Sequence, residues 1–192
     1  GLISDRPFLY DWILGRIAAF GLEDLLWLRV ANVGMALATA AYGLRFIRVA
    51  SREPLTHVVF LVCLTNTLMF TGIGAAVSYD NGANLLAAAA FYYLAELRSN
   101  WDPRRLAALL VTIGLGCLMK RSFLPLAALI VGALVLHERR HLRDAGTWLA
   151  RVGRPLSIGV AIVALANVLL YGGNLVRYQK LVPSFDQVVG IE

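Results

Sequence analysis

The sequence predicts an all-α fold: a polytopic transmembrane helical bundle of about six membrane segments, preceded by a short N-terminal interfacial helix. Three observations carry that reading. Apolar residues make up 59% of 192 residues and mean hydropathy is +0.68, whereas soluble domains lie nearer about 45–50% apolar. Between Leu25 and Tyr171 the chain is a run of apolar stretches cut only by short, arginine-rich breaks. Those arginines alternate from break to break, as they do where they orient helices across a bilayer.

Residues 1–24 read as an outside interfacial segment, 25–172 as the transmembrane helical domain and 173–192 as an outside C-terminal loop. In the first of these, Phe8, Leu9, Trp12, Ile13, Ile17 and Phe20 recur at near-helical spacing, interrupted by Asp11 and Arg16. That spacing predicts a short amphipathic helix along the outer interface. One turn of loop anchored by aromatics is the alternative. Gly1 is not a natural start, and the chain is expected to be a piece lacking an upstream span.

Six apolar segments follow: 25–46, 57–77, 83–97, 106–119, 123–136 and 156–171. A straight crossing takes about 20 residues. The first two meet that length, and the last nearly does with its flanks. The fourth and fifth hold 14 residues each, roughly 21 Å of helix. Lys120 and Arg121 between them are therefore expected to face a cavity or the interface rather than lipid. Pro54, Pro103 and Pro155 each stand before an apolar segment, where proline suits a first helical turn, and Asp102-Pro103 reads as a cap and start. Small residues, Gly72, Gly74, Ala76 and Ala87 through Ala90, permit close helix contacts.

One set of breaks holds Arg45, Arg48, Arg52, Arg98, Arg104, Arg105, Arg139, Arg140, Arg143, Arg151 and Arg154. The opposite set holds only Arg6, Arg16, Lys120, Arg121, Arg177 and Lys180. The richer set is expected to be cytoplasmic. Both termini and the turns at Asp80 and Lys120 then face outside. The net charge of +6 is accounted for by these breaks and by anionic headgroups, so nucleic acid is excluded as a partner. Cys63 and Cys117 lie within apolar stretches and read as small buried apolar residues. His137 and His141 stand four apart but have no third ligand nearby, and no metal site is assigned. No phosphate-binding glycine loop, serine elbow or cysteine–histidine pair occurs.

Two polar clusters stand at segment ends. Tyr79-Asp80-Asn81 closes the second segment and opens the third. There Asp80 or Asn81 either caps the next helix or lines an outward cavity, binding a sugar hydroxyl or a metal-bound phosphate. Apolar flanks make a lone carboxylate costly, so Asp80 is expected to have a partner. Asn84, one turn on, shares its face. Lys120-Arg121 stands at the outer ends of the two short segments. Adjacent cations neutralise a phosphate, arginine through its fork and lysine as a point charge; snorkelling at a helix end is the alternative. Cations on the outer side run against the arginine bias, which favours the binding role. In the stretch 171–186, Arg177 and Lys180 either meet lipid phosphates or belong to a plain interfacial loop.

Several of these stretches carry a resemblance. Arg6-Pro7-Phe8-Leu9-Tyr10-Asp11-Trp12, Leu28-Arg29-Val30-Ala31-Asn32, Tyr79-Asp80-Asn81, Leu115-Gly116-Cys117-Leu118-Met119-Lys120 and Tyr171-Gly-Gly-Asn-Leu-Val-Arg-Tyr together resemble the integral-membrane glycosyltransferases of the GT-C fold. The first is similar to their "PPLYY" segment, the second to the "LR-L-N" start of the next span, and the fourth to "GLALLTK". The nearest branch is one of uncharacterised predicted membrane proteins, beside the protein mannosyltransferase and lipid-A aminoarabinose transferase groups.

The resemblance implies a multi-pass protein of the bacterial inner membrane that moves a sugar from a polyprenyl-phosphate donor to an extracytoplasmic acceptor. Membrane lipid and that donor are the implied partners, and a divalent metal is admitted in the intact protein. Lys120, Arg121, Asp80, Asn81, Tyr79 and Arg177 are the candidate substrate- and phosphate-binding residues. The family's catalytic carboxylate belongs to an outside loop expected before Gly1, so no catalytic residue is assigned, and the piece is expected to be inactive alone. Phe8 departs from the usual second proline. The alternative function is a non-catalytic accessory or scaffolding subunit of a membrane complex. A transporter ranks third, since no half-helix pair is evident.

Overall fold

A computed structural model describes residues 9–19, 25–67, 72, 76–137 and 152–183, and they form an all-helical chain with no strand among them. In order, α1 is Leu9–Ala19, α2 Leu25–Ala50, α3 Pro54–Asn66, α4 Tyr79–Ser99, α5 Pro103–Met119, α6 Phe123–His137 and α7 Arg154–Asn167. A π-helical turn, Val168–Gly172, leads into α8, Gly173–Tyr178. The interfacial stretch is helical over α1. The Arg6-Pro7-Phe8 motif, the arginines between 139 and 151, His141 and Gly74 lie outside the described residues.

Local chemistry sets the helix starts. Proline has no N–H to lose in a first turn, and Pro54, Pro103 and Pro155 occupy the first turns of α3, α5 and α7. The Asp102 side chain accepts from Arg104 N at 2.9 Å, as an N-cap should. At α4 the cap is Ser78, not Asp80 or Asn81: Ser78 Oγ accepts from Asp80 N at 3.2 Å. The short hydroxyl at extended φ does the capping two positions before Asp80 and three before Asn81, which releases Asp80 for another partner.

Helix directions follow from paired contacts. Asn81 meets Asn32 and Phe91 meets Phe46, so α2 and α4 run parallel. Arg105 meets Glu96 at one end and Lys120 meets Asp80 at the other, so α4 and α5 are antiparallel. Asn167 meets Gly114 and Tyr171 meets Cys117, so α7 runs with α5. Arg48, Arg98, Arg104, Arg105 and Arg154 thus lie at one end of the bundle, and Tyr10, Asp80, Lys120 and Arg121 at the other.

Helix α5 is the central element, packed against α4, α6, α7 and α1. It buries Leu106, Leu109, Ile113 and Cys117 in one core with Leu97, Phe123, Ile130 and Leu170. The outer helices invert the usual pattern. No residue of α3 is buried, and Leu37, Leu55, Leu129, Ile162 and Leu169 are each about two-thirds exposed, between 61% and 72%. Helix α2, with 26 residues, and the continuous stretch Arg154–Tyr178, with 25, are long and apolar enough to cross a membrane. Helices α5 and α6, of 17 and 15 residues, reach only about 26 and 22 Å.

The tightest approaches involve Gly114 and Gly116 rather than the small residues singled out from the sequence. A Cβ on Gly116 would stand 2.4 Å from the Phe123 ring, and one on Gly114 2.2 Å from Val163 Cγ1. Both neighbours are buried. Gly116→Ala and Gly114→Ala are each expected to destabilise by about 1–3 kcal/mol through overpacking, partly offset by the roughly 1 kcal/mol helix preference of alanine. Gly132→Ala meets nothing within 4 Å and is expected to be neutral or stabilising. Thermal unfolding of the three variants in detergent checks the contrast.

Candidate functional site

The first turn of α4 and the last turn of α5 meet at the end of the bundle opposite Arg48, Arg98, Arg104, Arg105 and Arg154. Acids are favoured where a helix begins and cations where one ends. Asp80 lies in the first turn of α4, and Lys120 is the C-cap of α5. The two form an ion pair through Lys120 Nζ and Asp80 Oδ1, each side chain about one-third exposed. Asp80 Oδ2 accepts from Ser78 Oγ at 3.3 Å, and the Lys120 ammonium lies 5.2 Å from the centre of the Tyr79 ring. The Asp80 partner expected from the sequence is thus Lys120.

Beneath this pair is a buried polar knot. Asn32 is fully buried, and its Oδ1 accepts from Asn81 Nδ2 at 2.9 Å, Tyr10 Oη at 3.2 Å and Ser78 N at 3.3 Å. Its Nδ2 donates to Leu28 O at 2.8 Å, and Asn81 Nδ2 also reaches Ala76 O at 3.1 Å. One carbonyl oxygen therefore ties α1, α2 and the start of α4 together. The Tyr10 ring packs edge-on against Tyr79 at 6.3 Å. Burial pushes the Tyr10 phenol above its usual range, outweighing the Asn32 bond, which lowers it. Tyr10 therefore stays a neutral donor.

Two cavities meet at Lys120. The first is an apolar groove of about 550 Å³. Asp80, Asn84, Ala88 and Phe91 give it one stripe of α4, while Gly43 and Phe46 of α2 and Phe60 of α3 close it opposite. From Asp80 to Phe91 the stripe runs eleven residues, about 16 Å. The second cavity, about 400 Å³, is more polar than the first, its lining evenly divided, and lies against Tyr10, Asp11, Tyr79, Lys120, Arg121 and Ser122. Lys120 lines both. An apolar slot, an ammonium at its head and a more polar chamber beyond suit an amphiphile with an anionic headgroup.

Of the six candidate residues, the structure brings four together: Tyr79, Asp80, Lys120 and Arg121. Asn81 points inward and is only 3% exposed, serving the Asn32 knot. Arg177, exposed on α8, lines neither cavity. Arg121 donates from Nη1 to Pro183 O at 3.3 Å and Asn174 Nδ2 to Leu181 O at 3.2 Å, which fold the C-terminal stretch over the same end. Sequence reasoning missed Asn32, Ser78 and Asp11. Asn32, a polar residue amid an apolar segment, and Asp11, which breaks an amphipathic run, both carried a signal. Among the described residues no group of three His, Cys, Asp or Glu side chains could hold a metal. No protein-family model, curated protein or solved structure matches the chain.

The knot is expected to hold this end of the bundle in register. Asn32→Leu removes the shared acceptor while keeping the branched shape of the side chain, leaving buried donors that cost about 1–3 kcal/mol each. A lowered unfolding temperature, together with a Tyr10→Phe effect that vanishes in the Asn32→Leu background, checks this coupling.

Proposed function

We propose that the chain is a multi-pass integral membrane protein that handles the lipid-linked donor of a glycosyltransferase, with a sugar moved from a polyprenyl phosphate to an acceptor outside the cytoplasm. One observation carries the reading: the Lys120 ammonium stands where an apolar groove and a polar chamber meet. The prenyl tail lies along the α2–α4 groove, its phosphate at Lys120 and Arg121, and the sugar in the chamber beside Asp11 and Tyr79. A lipid surround is supported by the outward apolar faces of α2, α3, α6 and α7 and by the gathering of arginines at one end. It also explains why a soluble fold would not serve, since the tail never needs to enter water.

The chemistry asked of these residues is modest. The bond between the anomeric carbon and the phosphate oxygen breaks, its electron pair staying on that oxygen. The acceptor oxygen takes the anomeric carbon and gives its proton to a base that is not assigned within this chain. Lys120 and Arg121 stabilise the charge that grows on the leaving phosphate, a preorganised role of the kind that removal typically reduces by about 10²–10³-fold.

Two experiments test the reading. Lys120→Ala is expected to lower transfer from a polyprenyl-phosphate sugar by about 10²-fold in the intact protein, at unchanged expression, while Ala88→Phe, which fills the groove, weakens binding of dodecyl phosphate by the chain but not of inorganic phosphate. Normal turnover with Lys120→Ala would remove that residue from the mechanism. Single cysteines at Arg48 and Ser99 are expected to react with an impermeant maleimide from one face of a sealed vesicle, and one at Ser122 from the other. Labelling of all three from the same face would contradict the topology.

A further inference from the structure

The helices are flush at one end of the bundle and staggered at the other. From the Asn32–Asn81 contact, eighteen residues bring α2 to its end at Ala50 and α4 to its end at Ser99. Back from the Asn167–Gly114 contact, eleven residues bring α5 to its start at Pro103 and α7 to Leu156, two residues from its own start. The end that carries Arg48 and Arg98 is therefore level to within about one turn. At the other end α4 and α5 stop together at the Asp80–Lys120 pair, and α6 turns back from there. Helix α2 reaches seven residues beyond Asn32, to Leu25, about 10 Å. Tyr171 meets Cys117, which sets Asn174 level with Lys120, and α8 runs four residues further to Tyr178, about 6 Å. The ion pair thus lies at the bottom of a well, with α2 and α8 rising on two sides and Tyr10 and Asp11 of α1 on a third.

Set in a bilayer, that well falls inside the lipid. Helix α5, with 17 residues, rises only about 26 Å, against a hydrocarbon core of about 30 Å with a headgroup layer beyond it. With the flush ends at the inner edge of that core, the Asp80–Lys120 pair stands beneath the outer headgroups. Asp80 holds the ammonium at that depth, so it does not snorkel upward. Both side chains are about one-third exposed, and hydrocarbon against exposed charges is costly. Something polar therefore reaches down to them. Water alone would suit a chamber sealed from lipid. This chamber instead meets the apolar α2–α4 groove at Lys120, which gives the tail of a headgroup-bearing molecule a place to lie.

We infer that this end of the bundle is a headgroup well: the outer leaflet is drawn down between α2 and α8 until phospholipid headgroups stand at Lys120 and Arg121, below their height in the surrounding bilayer. This rests on the lipid-surrounded reading proposed above and adds to it the depth of the site and the route by which a lipid phosphate arrives. The short α5 and α6 are the cause, since a helix shorter than the hydrocarbon core is accommodated by local thinning. A lipid-linked donor then moves sideways along the depressed leaflet into the groove, and its phosphate never crosses hydrocarbon.

The test places a bimane fluorophore on single cysteines in vesicles of dioleoylphosphatidylcholine, in a chain that carries Cys63→Ala and keeps the buried Cys117. Ser122→Cys reports the well. Val33→Cys, exposed on α2 one residue from Asn32 and lining neither cavity, reports the same height outside it, and Leu26→Cys reports the outer end of α2. Nitroxides carried on the lipid headgroup or halfway down its tail quench the fluorophore according to depth, and iodide quenches it from water. The headgroup nitroxide is expected to quench best at Ser122 and Leu26, and the tail nitroxide best at Val33. Tyr79→Cys, half-exposed in the same chamber, repeats the reading if Ser122→Cys fails to fold. Headgroup quenching at Val33 as strong as at Ser122 overturns the well, because the whole bundle then ends at that height. Tail quenching at Ser122, or iodide quenching there with neither nitroxide effective, overturns the descent of headgroups. None of these outcomes decides dodecyl phosphate binding at Lys120, which stands or falls by its own variants.

Discussion

The ion pair between Asp80 and Lys120 joins the beginning of α4 to the end of the antiparallel α5, each charge at the helix end that welcomes it. At the opposite end of the same two helices, Arg105 bonds to the Glu96 carboxylate at 2.9 Å and donates to the Glu96 and Asn100 carbonyls. The helical hairpin is therefore clamped at both ends. The first clamp lines the two cavities described above. A pair one-third exposed to solvent contributes little to stability by itself. Its consequence here is positional, since it holds one ammonium at the boundary between apolar and polar space.

Stability comes from elsewhere. The central helix α5 buries its apolar residues on several sides, and two glycines let Phe123 and Val163 close on it. The hydroxyl of Tyr171, from the π-helical turn, donates to Cys117 O at 2.7 Å and satisfies a carbonyl in the last turn of α5. Just beyond it, the Asn32 knot uses one amide oxygen to fix three segments. The site thus stands on buried polar groups whose partners are all within the protein, a requirement that becomes stricter if lipid surrounds them.

Much of this was legible in the sequence because it is set locally. The all-helical class, the first-turn prolines and the Asp102 cap follow from residue types and their neighbours. The apolar runs foretold helices, and the expense of an unpaired carboxylate foretold a partner for Asp80. What was not legible depends on contacts between residues distant in the chain. Asn81 sits beside Asp80, yet a helix turns the two side chains apart, one toward Asn32 and the other toward Lys120. Asp11 reaches the polar chamber only because α1 packs on α5, a docking that no periodicity within α1 encodes. Gly114 and Gly116 outrank the other small residues because of what faces them, Val163 and Phe123.

In the proposed reading an anionic lipid lies with its head at Lys120 and its tail between α2, α3 and α4. Photo-crosslinking with a dodecyl phosphate that carries a diazirine near the tail's end, read out by peptide mapping, distinguishes this placement from any other. Label confined to the groove wall, around Phe46 and between Ala87 and Phe91, is the result this account requires. Label spread over the outward faces of α3 and α7, with the groove peptides unmarked, would contradict it.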